Sequence, residues 1–225
     1  MVKVQRSYPA PASLEIESKK KSGSYNKKDV CEQLRKDFHD KCYICELKGL
    51  QDPEVEHLLP HKNGKYPERK FNWDNLFWCC GHCNGVKNKG KYDEGIIDCC
   101  KQDPEKQLEA RLIDGEVLVE AIDINDKQAV LTASLLNETF NLKNHGIRDA
   151  ACSHRMNQLM KTMDILYKEL EHFKNNPNSA RNKRMLRVLL SREAAFAAFT
   201  RYYVRSNLDC FPELEEYVQG SYSDC

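Results

Sequence analysis

No run of about 18 consecutive apolar residues occurs in the 225-residue chain, so no segment can serve as a transmembrane helix. The opening stretch, MVKVQRSYPAPASLE, lacks the apolar core of a secretion signal. Both absences lead us to expect a cytoplasmic protein without a membrane partner. There is no GxxxxGK[ST] phosphate-binding loop, so an ATP-dependent activity would need a separate subunit. Internal repeats are absent. Charge of one sign is also missing: the net charge is only +1, which gives no global attraction to polyanions. Charged residues at 31% and hydrophobic ones at 40% exclude a disordered chain and indicate a globular one.

Cysteine, by contrast, is abundant, with eleven residues. In a reducing compartment closely spaced cysteines point to metal before disulfide. Cys42-x-x-Cys45 and Cys80-x-x-Cys83 can supply four thiolates to one tetrahedral zinc, each knuckle turning its two sulfurs to one side. The interval between them accommodates a strand, a loop and a returning strand. Cys79 reads as a buried strand residue and His82 as a turn residue or phosphate contact. The other six cysteines (Cys31, Cys99, Cys100, Cys152, Cys210, Cys225) read as packed or surface thiols. His39, His145, His154 and His172 read as surface or helix residues. Between Lys62 and Lys91 lie seven basic residues, including Lys62, Lys65, Arg69, Lys70, Lys87 and Lys89, against two acids. That local excess can dock a polyanion.

Patterning gives an α+β chain in two parts, residues 1–106 and 107–225, with a boundary near Pro104–Gln107. In the first part, Ser18–Lys28 reads as a flexible arm or loop. The stripe Val30, Leu34, Phe38 predicts a helix over Lys28–His39. Glu54–Pro60 and the LFWC run read as strands, and GHCNGVKNK as a short helix. In the second part, Arg111–Glu120 is a hairpin closed by Asp114-Gly115. A helix from NDKQAV follows, then a long amphipathic helix through Met156–Phe173, a break at Asn175–Asn182, and one further helix through Met185 and Phe199 to about Arg205. This helical half is a candidate docking surface for a partner.

The ordered set Glu56-His57, Asn75-Leu76 and Asn84, inside the CxxC…CxxC frame, resembles the HNH endonucleases of the zinc-containing ββα-metal type. The resemblance is firm over Lys41–Lys91. More loosely, the whole chain resembles HNH subunits of bacterial anti-phage systems of the Septu type, and those accompanying retrons, which work with an ABC-type ATPase subunit. It implies a ββα-metal module carrying a zinc knuckle, and DNA as substrate. It implies that His57 activates water and that a divalent ion, Mg²⁺ or Mn²⁺, is held by Asn84 and Glu56. Asn75 would hold the loop and orient His57, and Asn84 would offer an amide oxygen, a hard ligand suited to that ion. Glutamate stands where the family usually has aspartate. Lys87, His82 and Lys62 are the expected phosphate contacts, and Asn88 lies one turn beyond Asn84. The competing reading is a non-catalytic zinc module that binds nucleic acid or scaffolds a partner.

Overall fold

A computed structural model describes residues 1–88, 90–141 and 147–219, apart from the side chains of 147–149 and 151. Lys89, His145 and Cys225 lie outside the described residues. Helix α1 (Ala12–Ser18) begins after Pro11, and α2 (Lys28–Asp37) buries the expected stripe of Val30, Leu34 and Phe38. Between α1 and α2 the chain runs as a loop, one of the two readings of this stretch, and it is pinned rather than free. Lys70 Nζ donates to the Gly23 carbonyl at 2.9 Å, and the Glu17 carboxylate accepts from the Ser24 amide at 2.9 Å. Its polar composition concealed these long-range contacts.

The first cysteine knuckle follows α2, closed by a bridge between Lys41 and Lys48 and by left-handed turns at Glu46 (φ 61°) and Gly49 (φ 66°). Strands β1 (Pro53–His57) and β2 (Leu76–Cys80) then pair antiparallel, with Pro53 opposite Cys80 and His57 opposite Leu76. The connection carries a one-turn helix, α3 (Pro67–Lys70). Strand β1 stops before the expected Pro60 because the Asn75 carbonyl takes the Leu58 amide and the Asn75 side chain takes both backbone groups of Leu59. Helix α4 (Gly81–Lys87) leaves β2 directly and folds back along the hairpin.

A second hairpin, β3 (Leu108–Ile113) and β4 (Glu116–Ala121), turns through Asp114 (φ 49°) and Gly115 (φ 79°), the left-handed pair that a two-residue turn demands. Helix α5 (Lys127–Asn141) covers it, burying Val117 and Val119. Asn137 and Asn141, one turn apart, hydrogen-bond both backbone groups of Val119 and Val117, so the edge of β4 is capped by side-chain amides.

The remainder is helical: α6 (Ile147–Asn175), α7 (Ala180–Leu189), α8 (Ala197–Arg205) and α9 (Glu215–Gln219). The single helix expected to end near Arg205 is split into α7 and α8. Lys41 Nζ, 3% exposed, draws the carbonyls of Arg192 (2.5 Å) and Ala194 (3.2 Å) out of helical register. Phe196 turns left-handed (φ 54°), and Glu46 takes the Phe196 and Ala198 amides. The first knuckle is thus clasped by the C-terminal region.

One contiguous apolar core runs through both parts. The place expected for a boundary, near Pro104–Gln107, holds a tight turn (Pro104–Lys106) whose Glu105 carboxylate is buried and gripped by Arg192, Arg201 and Arg205. These arginines hold the Glu105 carboxyl below its usual range against the opposing push of burial. Arg6, near the chain start, is similarly embedded: it donates to the Trp73 and Leu76 carbonyls at 2.9 Å and lies over the Trp73 and Phe77 rings. Among the described residues no helix is long and apolar enough to cross a membrane.

Candidate active site

The β1–β2 hairpin carries cysteines at one end and a histidine at the other. Cys80 closes β2 beside Pro53, and Cys83 follows on the first turn of α4. The first knuckle is tied to the same place, with the Tyr43 amide donating to the Trp78 carbonyl at 3.0 Å. The ligand atoms of Cys42, Cys45, Cys80 and Cys83, all buried, lie within 4.8 Å of one another. Sulfurs on a tetrahedral zinc stand about 3.8 Å apart, given Zn–S bonds of about 2.3 Å, so a small inward movement seats the ion. The electrostatics fit as well. Burial pushes the Cys42, Cys45 and Cys83 thiols far up, whereas hydrogen bonds from those three hold Cys80 down as the thiolate. A bound dication would take the place of the protons on the three raised thiols, and these four residues could hold zinc.

Two neighbours of the cluster come from elsewhere. Arg155 of α6, 3% exposed, donates from Nη2 to Cys80 Sγ at 3.5 Å. Cys79 is fully buried, as expected, with its sulfur 3.8 Å from that of Cys42. His82 turns toward α5, its Nε2 3.3 Å from the Thr139 carbonyl and 3.6 Å from Cys152 Sγ.

Helix α4 rises about 1.5 Å per residue, so its six steps from Gly81 to Lys87 bring it about 9 Å back along β1. Lys87 thereby reaches the His57 end of the strand: its Nζ donates to Glu56 Oε1 at 2.6 Å and to the His57 carbonyl at 3.0 Å. Both side chains of this ion pair are almost wholly buried. The Tyr43 hydroxyl donates to the other oxygen, Oε2, at 2.6 Å. Burial raises the Glu56 carboxyl, against the opposing pull of Lys87 and Tyr43. Each Glu56 oxygen thus already accepts one hydrogen bond, and Lys87 faces this pair rather than solvent.

His57 projects into an open pocket of about 290 Å³ that Tyr25, His61, Lys62, Asn84 and Asn88 also line. Its Nε2 is 3.0 Å from the Lys70 carbonyl. A carbonyl can only accept, so Nε2 carries the proton and Nδ1 presents a lone pair. No described residue hydrogen-bonds Nδ1, and the atom is not fully sealed from solvent. Burial pulls the imidazole down to about 4, which keeps it neutral at physiological pH. Tyr25, from the segment before α2, packs edge-on against the ring at a centroid distance of 4.5 Å, and His61 lies at 4.9 Å. The patterns read from sequence gave no reason to place Tyr25 here, because its approach depends on the Gly23–Lys70 contact.

Asn75 sits outside the pocket but governs it. Its side chain ties Leu59 to Arg69, the latter through a 3.0 Å bond to the Arg69 carbonyl, and so fixes the segment whose next carbonyl holds His57. Asn84 lines the same pocket as His57, its Nδ2 donating to Glu54 and its Oδ1 accepting from Asn88 at 2.7 Å. Glu54 was not among the residues singled out from sequence; its two-residue spacing from Glu56 along β1 was the available signal. Of the basic stretch, Lys62 pairs with Asp93 at 2.8 Å and Lys91 with Glu138 at 2.6 Å, so part of the expected positive excess is neutralised locally.

No family model matches the chain. Over 111 aligned residues, 44% of this chain, it is 29% identical to the Septu protein PtuB of Bacillus thuringiensis, and the aligned stretch spans 42% of that protein's length. The chain is therefore distantly similar to a Septu protein over somewhat less than half of each sequence.

Proposed function

We propose that the protein is a metal-dependent HNH endonuclease that hydrolyses phosphodiester bonds in DNA, acting as the nuclease subunit of an anti-phage defence complex. One observation carries this reading: a neutral imidazole with no hydrogen-bond partner on Nδ1 among the described residues and the Asn84 side chain line one open pocket on a two-strand-plus-helix unit whose helix starts at a cluster of four cysteines. The arrangement supports a ββα-metal module, and the likeness to PtuB supports the defence setting.

His57 accepts a proton from the attacking water through Nδ1, while the Lys70 carbonyl keeps Nε2 protonated and the ring in one orientation. A phosphodiester anion in the pocket raises the affinity of the imidazole for that proton, offsetting the burial that depresses it. Asn75 fixes the loop that carries the Lys70 carbonyl. Asn84 would hold the divalent ion through its amide oxygen, and Mg²⁺ or Mn²⁺ there would supply charge to the phosphate oxygens as the bond breaks. Glu56, set in its pair with Lys87, locks β1 to α4 and so keeps His57 and Asn84 on one pocket. The four cysteines and zinc fix the start of α4. An ABC-type ATPase of the PtuA kind is the proposed partner, and the helical region from α5 onward is the proposed docking surface.

The test is nicking of supercoiled plasmid with Mg²⁺ or Mn²⁺, with the ATPase subunit present, by the wild type and by His57→Ala. The variant keeps its zinc and loses cleavage by about 10²–10⁴-fold, the usual contribution of a general base. Equal cutting by both proteins refutes the mechanism and favours a zinc scaffold.

A further inference from the structure

We propose that Glu54 is a positioning residue that sets which end of the Asn84 amide faces the pocket; this rests on the endonuclease reading above. The two ends of an asparagine amide are nearly the same shape but opposite in chemistry: one donates two protons, the other accepts. Only the oxygen end is a ligand for a hard cation. Left to itself on an open surface, Asn84 could present either end.

Glu54 removes the ambiguity. It stands on β1 opposite Cys79, two residues before Glu56, and its carboxylate accepts from Asn84 Nδ2. An ionised carboxylate has no proton to give, so the amide NH₂ must face Glu54 and Oδ1 must face away. Asn88, one turn further along, donates from Nδ2 to Asn84 Oδ1 at 2.7 Å and marks the direction of that oxygen. Both asparagines line the pocket that holds His57. Gly81 leaves the space that this carboxylate occupies: a Cβ there would stand 3.0 Å from Glu54 Oε1. The donor of Asn84 goes to Glu54 and not to Glu56, whose oxygens accept from Lys87 and Tyr43. The two glutamates of the strand thus divide the labour: Glu56 secures the helix and Glu54 orients the amide it presents.

The experiment measures Mn²⁺ affinity by calorimetry on zinc-loaded protein without DNA. Glu54→Gln removes the restriction, since a glutamine can donate as well as accept, and it weakens Mn²⁺ binding by about 10–100-fold, as loss of a ligand's orienting partner does. Adding Asn84→Asp to Glu54→Gln reverses the roles, because the introduced glutamine side chain then donates to one carboxylate oxygen and the other faces the pocket by necessity. Affinity returns to within about threefold of the wild type, well inside the loss expected for Glu54→Gln. Asn88→Asp in the Glu54→Gln background adds the same charge without restoring orientation, and affinity stays low. Wild-type affinity in Glu54→Gln, failure of the Asn84→Asp rescue, or equal rescue by Asn88→Asp each overturns the assignment of Glu54. A wild-type protein that binds no Mn²⁺ at all removes the endonuclease reading itself, and this inference with it.

Discussion

Lys87→Met tests the least surface-like feature of the site. Lys87 and Glu56 form an ion pair with both side chains at most 3% exposed, and among the described residues Tyr43 and the His57 carbonyl share it. Two charges brought out of water tolerate one another only as a pair. Removing one leaves the other uncompensated, at a cost of about 3–5 kcal/mol. For a chain of this size each kcal/mol lowers the melting temperature by about 2–4 °C, so a fall of about 6–20 °C is expected. The pH dependence separates this cause from a simple packing loss. Without Lys87, the Glu56 carboxyl, already raised by burial, rises further above its unfolded value. A group that binds its proton more tightly in the folded state stabilises at low pH and loses that contribution as pH rises. The variant should therefore gain stability on acidification, by up to about 1.4 kcal/mol per pH unit, between the folded value and the unfolded one. Replacing all three groups by apolar ones (Tyr43→Phe, Glu56→Leu, Lys87→Met) should restore stability to within about 2 kcal/mol of the wild type, since a buried pair is worth little more than a well-packed apolar substitute. Urea unfolding of the zinc-loaded proteins from pH 5 to 8 measures all of this. A loss below about 1 kcal/mol for Lys87→Met, flat with pH, refutes the buried pair and with it the lock between β1 and α4.

Arg155→Met removes a donor from Cys80, and zinc release to a colorimetric chelator should become about 10–100-fold easier, with a shifted thiolate-to-metal band in the Co²⁺-substituted protein. His57 is buried neutral with its imidazole near 4 against an ordinary value of 6.5, so its contribution, about 3 kcal/mol, is complete above pH 6.5 and lost as pH falls toward 4. Comparing denaturant unfolding of the wild type and His57→Gln over that interval should show a shallower acid limb in the variant; identical limbs would contradict the depressed value. Asn75→Ala should slow plasmid cleavage more than it lowers affinity for DNA, because it frees the loop whose Lys70 carbonyl orients His57; equal losses in both would remove its positioning role.

How much of this was legible in the sequence followed from how local the determinants are. Each CxxC pair, β1, β2 and α4 follow from spacings within a few residues, as does the Asp114-Gly115 hairpin, and the repeated CxxC pattern itself signals that the two pairs meet. The stripe of Val30, Leu34 and Phe38 gave α2 nearly to its ends. Features set by contacts distant in the chain were not legible. Lys87 looked like a phosphate contact because its burial depends on the 31-residue separation from Glu56 being closed by the hairpin register. The break between α7 and α8 is imposed by Lys41 and Glu46, about 150 residues away, against a continuous apolar pattern. Tyr25, Arg6 and Arg155 have no local signature: each earns its role from what the fold carries to it.

Anomalous diffraction at the manganese edge, on crystals of zinc-loaded protein soaked in Mn²⁺ with a short DNA duplex, tests the central claim most directly. The account predicts a manganese peak within about 2.5 Å of Asn84 Oδ1, bound to a phosphate oxygen, in the pocket that His57 lines. A pocket without manganese, or manganese found only among Cys42, Cys45, Cys80 and Cys83, would contradict it.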